Sequence, residues 1–122
     1  MFDVRVKSEN GICKIKLYPS NPELEIGGYG RDDIIVFKGA PVSAAALQRM
    51  LESKFGGTLI VLHKNSLEVE LQKLDCKLVV DDVAKAIEEM MENAAKDLEV
   101  IEDVIKDTLQ KYIRRTRGEN GD

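Results

Sequence analysis

Phe2, Val4 and Val6 alternate with Asp3, Arg5 and Lys7, a two-residue period that predicts a strand with one dry face. Cys13, Ile15 and Leu17 alternate with Lys14 and Lys16 in the same way. Glu9-Asn10-Gly11 between them is turn chemistry, so the chain is expected to open on a β-hairpin. Pro19 and Pro22 bracket a loop, because proline cannot donate to a central ladder. Leu24 and Ile26 predict a short third strand, ended by Gly27-Gly28-Tyr29-Gly30. Ile34 to Phe37 is apolar on both phases, which predicts a central strand covered on both faces. Gly39 and Pro41 close it.

The period then changes. Ala44, Leu47 and Leu51 recur at helical spacing with Met50 beside them, Ser43 is placed to cap the start, and Gly56-Gly57 ends the run. A helix over about 44–55 follows. Thr58 to Leu62 is again apolar on both phases, and Asn65-Ser66 is a turn. Leu67, Val69 and Leu71 alternate with Glu68, Glu70 and Gln72, and Leu74, Cys76, Leu78 and Val80 continue that alternation. The short connections predict antiparallel meanders.

From about 82 to 116 one pattern dominates. Val83, Ile87, Met90, Ala94, Leu98, Ile101, Ile105, Leu109 and Tyr112 fall three or four residues apart, with Asp81 or Asp82 available as a cap. No glycine or proline interrupts residues 58–117. Ala84, Met91, Ala95, Val104 and Ile113 widen the stripe, and its eleven-residue rhythm keeps it on one face of a nearly straight helix. As one helix, residues 82–116 span about 52 Å, whereas a globule of this size is about 35 Å across. The helix must either bend near Asn93 to Asp97 or carry apolar side chains beyond its own domain.

The expected architecture is α+β, mostly antiparallel, in the order ββββ-α-βββ-α. It forms a single domain over residues 1–117, with a disordered polar tail at 118–122. With 122 residues, 43% hydrophobic and 33% charged, the chain has the composition of one globular domain. Residues 1–8 are not a signal peptide, and the longest apolar runs are strand-length, so no membrane contact is expected and the reading is cytoplasmic. Abundant Lys and Glu fit a thermophilic source. Cys13 and Cys76 are the only cysteines and both fall on apolar phases, so two buried, reduced and dispensable thiols are expected. In its order of elements alone, the chain resembles profilin-like adaptor folds of the roadblock and longin kind.

Candidate chemistry is sparse. Two cysteines and one histidine cannot form a standard zinc site, and adjacent Asp32 and Asp33 offer too few oxygens for a calcium loop. No metal or cofactor is expected. Gly27 to Asp33 could form an anion-binding nest in which Arg31 clamps a phosphate, but no helix follows to add its dipole, so a flexible turn is the simpler reading. His63 is the only residue suited to proton transfer near neutrality, and no nucleophile stands at a diagnostic spacing from it. An enzyme using this loop and His63 is therefore the least supported function.

Charge supplies one further signal. Net charge is −4, which argues against a general nucleic-acid binder. Yet Lys106, Lys111, Arg114, Arg115 and Arg117 face a single anion, Asp107, in residues 106–117. Residues 81–105 carry nine anions against two cations. The basic helix end at 111–117 is an alternative site for a weak contact with nucleic acid or an acidic protein. The leading expectation is a non-enzymatic interaction module. It pairs with itself as a homodimer through Leu98, Ile101, Ile105, Leu109 and Tyr112.

Overall fold

In a computed structural model of the chain, the backbone is described for residues 1–29, 32–72 and 76–121. Side chains are described for 1–27, 34–72 and 76–113. Seven strands and two helices follow one another. They are β1 (Phe2–Glu9), β2 (Ile12–Pro19), β3 (Leu24–Tyr29), β4 (Asp32–Phe37), β5 (Ala40–Ser43), α1 (Ala44–Phe55), β6 (Thr58–His63), β7 (Ser66–Leu71) and α2 (Cys76–Gly121). The strands form two antiparallel sheets, β1-β2-β7-β6 and β3-β4-β5.

The expected α+β class holds, and so does the opening hairpin. Glu9 pairs with Ile12 across Asn10-Gly11, whose φ angles of 53° and 75° are both left-handed. Such a two-residue turn matches the twist of the strands it joins. Across β2 and β7, Cys13, Ile15 and Leu17 stand opposite Leu71, Val69 and Leu67, and all six are fully buried. The α1 helix has the expected bounds. Ser43 Oγ accepts from the Ala46 N–H at 3.1 Å, and the Gly56 N–H donates to Glu52 O at 3.0 Å. Leu47 and Leu51 point inward with no exposed surface.

Three expectations need correction. Gly39 and Pro41 do not end the first group of strands. Lys38 and Gly39, with φ of 51° and 79°, form a second tight turn that carries the chain into β5, a strand the pattern did not show. Thr58 to Leu62 is not a central strand: β6 lies at a sheet edge, and Leu59 on its outer face is 49% exposed. The alternation ending at Val80 is not a strand either. Cys76, Val80, Val83 and Ile87 are also at helical spacing, and that period wins, so α2 begins six residues early. Asp81 and Asp82 sit exposed inside the helix instead of capping it.

Cysteine chemistry changes accordingly. Cys76 in the first turn of α2 lies over β2, and its Sγ is bonded to Cys13 Sγ, with the two Cα atoms 5.3 Å apart. The thiols are buried, as expected, but they are paired rather than free. The bond fastens the start of α2 to β2, one of the two inner strands of the larger sheet.

Beyond that anchor, α2 crosses both sheets and packs beside α1. Val83, Ile87 and Met91 have no exposed surface, and Ala86 and Ala95 are each 6% exposed. These side chains join β2, β4, β7 and α1 in one core. At about 1.5–3 kcal/mol for each large side chain removed from water, this half of the helix is held tightly to its domain.

Candidate interaction surface

The α2 helix contains 46 residues in one continuous run, without the bend considered near Asn93 to Asp97. At a rise of about 1.5 Å per residue it is about 69 Å long. Its packing against the domain stops at Leu98. That side chain is half-buried and its Cδ2 lies 3.9 Å from where a Cβ on Gly39 would stand, over the β4–β5 turn. Leu98 therefore belongs to the domain's edge and not to the free stripe.

Among the described residues beyond it, 99–113, no side chain is buried. Val100, Ile101, Val104, Ile105 and Leu109 are all more than half exposed, Tyr112 is 69% exposed and Ile113 47%. Within this overhang the structure brings together Ile101, Ile105, Leu109 and Tyr112, four of the residues the stripe singled out. Thr108 returns its hydroxyl to Val104 O at 2.8 Å, so its polar group is satisfied within the helix. Scattered apolar side chains are ordinary on a protein surface, whereas a contiguous row on one helix is a candidate interaction site.

A groove adjoins the overhang. About 740 Å³ opens between β4–β5, α1 and α2, with Ile34, Val42, Met50, Met90 and Ala94 among its apolar walls. Glu89, Asn93 and Asp97 edge it on the α2 side, and Lys54 stands on the α1 side. Sequence reading placed Met50 and Met90 on apolar faces but could not join them, because only the tertiary fold sets α1 beside α2.

The other candidates are dispersed. His63 ends β6, where its Nε2 lies 2.9 Å from Glu68 Oε2 on an exposed surface. Arg31 and the side chains of Gly28 to Asp33 lie outside the described residues, as do those of Arg114, Arg115 and Arg117. Lys111 is described and pairs with Asp107 at 3.3 Å, one helical turn back. A pocket of about 470 Å³ beside β3 is lined, among the described residues, by Pro19, Leu24, Glu25, Ile26 and Asn65. Among the described residues, no group of three His, Cys, Asp or Glu side chains is placed to hold a metal. None of their helices is long and apolar enough to cross a membrane.

One feature the sequence reading passed over is the outer face of β1 and β2, where Arg5 faces Lys16 and Lys7 faces Lys14. Like charges opposed across a ladder are unfavourable. Here they are offset: Lys14 approaches Glu9 at 3.7 Å and Glu70 at 4.0 Å, and Arg5 lies 5.2 Å above the Tyr18 ring. Nothing in this cluster is buried, and it has the form of a balanced wet face.

No family model matches the chain, and no solved structure matches it. It is similar to a protein of Archaeoglobus fulgidus described only as uncharacterized, with 60% identity over 121 residues that cover 99% of each chain. The alignment is long enough to run through the overhanging part of α2. Similarity of that depth over that length shows common descent, and the chain belongs to the same family as this archaeal protein.

Proposed function

We propose that the chain is a non-catalytic interaction module that associates with a second copy of itself through the overhanging half of α2. The single observation that carries this reading is the row Val100, Ile101, Val104, Ile105 and Leu109, apolar and yet more than half exposed. A helix that were only a solvated spacer would be polar all round. This one keeps a dry face for four turns past the last sheet contact, and each large side chain left in water forgoes about 1.5–3 kcal/mol.

Sedimentation equilibrium from nanomolar to micromolar concentration tests the reading. The native chain is expected to run as a dimer and the Ile101→Asp, Ile105→Asp variant as a folded monomer. A native chain that stays at the monomer mass of 13.6 kDa through the micromolar range would defeat it.

A further inference from the structure

The self-association proposed above leaves open how two copies are set against each other, and the groove beside α2 supplies an answer. We infer that the two helices run antiparallel and that the groove between α1, β5 and α2 receives the end of the partner copy's α2, each chain seating its helix in the other. This inference rests on the helix-mediated reading and deepens it.

Three observations carry it. The first is continuity. Met90 and Ala94 line the groove and remain half-buried, and Ile101 and Val104 follow them on the same side of α2 into the overhang. A helix lying along the overhang would therefore meet the groove after passing Asp97, which stands between the two.

The second is charge. The α2 edge of the groove is acidic at Glu89 and Asp97, whereas the last turns of the helix are basic from Lys111 onward. A parallel pair would set basic end against basic end. An antiparallel pair sets each basic end along the other copy's acidic edge, an arrangement that fixes orientation and register more than affinity.

The third is register. Placing Lys111 of one copy beside Asp97 of the other puts the two-fold axis at Val104, midway between them, so that this exposed side chain meets its own symmetry mate. With the axis there, Tyr112 comes level with Lys96, and the turns after it run along Asn93 and Met90 on the α2 wall of the groove. Met50, across the groove on α1, then contacts the partner although it lies on a different helix from the overhang.

Dissociation constants measured by sedimentation on the full chain test the seat. Met50→Lys is expected to weaken the dimer roughly tenfold or more, as loss of a central apolar anchor does, and Met50→Leu to leave it near native. Thermal unfolding followed by circular dichroism checks that each variant is folded. If Met50→Lys does not fold, charge exchange decides: Asp97→Lys and Lys111→Asp should each weaken association, and the two together should restore it.

A folded Met50→Lys chain that dimerises like the native one overturns the seat, and so does a charge exchange without restoration. In either case a monomeric Ile101→Asp, Ile105→Asp variant would leave the helix-mediated reading standing. A dimer that survives those two aspartates removes that reading itself.

Discussion

The two halves of α2 carry one continuous apolar stripe, and its two parts have opposite fates. Between Cys76 and Leu98 the apolar stripe is covered by two sheets and α1, and Val83, Ile87 and Met91 lose all contact with water. Between Glu99 and Ile113 the stripe continues with larger side chains, and every one of them is exposed. Local helix propensity does not separate the halves. The difference lies in how far the sheets extend, since among the described residues Leu98, over the β4–β5 turn at Gly39, is the last of α2 packed against the core. An amphipathic pattern thus reports that a face is to be covered, and leaves open by whom.

Substitutions of one kind placed in both halves probe that contrast. Ile87→Ala should destabilise the domain by about 2–5 kcal/mol, the usual cost of a cavity in a rigid core. Urea unfolding reads this directly, and a loss below about 1 kcal/mol would show that the first half is loosely packed. Replacing Cys13 and Cys76 with serine should cost about 2–4 kcal/mol, because the bond closes a long loop in the unfolded chain. The result should be a lower unfolding midpoint with unchanged association. Persistence of the native midpoint after the exchange, or after treatment with a dithiol reductant, would mean that the packing of Val83 and Ile87 alone anchors the helix.

Leu98→Ala tests the boundary. A half-buried leucine at the domain's edge should cost about 1 kcal/mol, less than Ile87 and more than any side chain after it. Smallest of all, Ile105→Ala should change the unfolding free energy of the dissociated chain by no more than about 0.5 kcal/mol. At higher protein concentration its cost should grow, because whatever binds the folded state adds to apparent stability. A concentration-independent loss of 2 kcal/mol or more at Ile105 would erase the distinction between the halves.

How legible this was depended on how local the deciding physics was. The α1 helix could be read to its ends, because Ser43, the spacing of Leu47 and Leu51, and Gly56 act within one or two turns. The Asn10-Gly11 hairpin was legible for the same reason. Lys38-Gly39 is an equally tight turn, yet Pro41 two residues later read as a stop. Because β5 is an edge strand, it tolerates that proline. Cys76 to Val80 satisfies both periods, and only the sheet beneath it decides between them. The disulfide joins residues 63 positions apart, which no local pattern can reveal. For the candidate surface, the stripe was visible but its division at Leu98 was not, since that depends on where another element ends.

The Cys13–Cys76 bond has a further consequence for how the molecule bears load. Everything from Cys13 in β2 to Cys76 at the entry of α2 lies inside one covalent ring, and β1 and the rest of α2 lie outside it. Tension applied at the two termini must pass through the bond and bypass β3 to β7. With 63 residues of separation at about 3.3–3.6 Å each, the ring hides a little over about 200 Å of contour that stretching cannot release. Pulled from its ends, the oxidised molecule should therefore yield β1 and α2 only, while the enclosed hairpins feel no force until the sulfurs are parted.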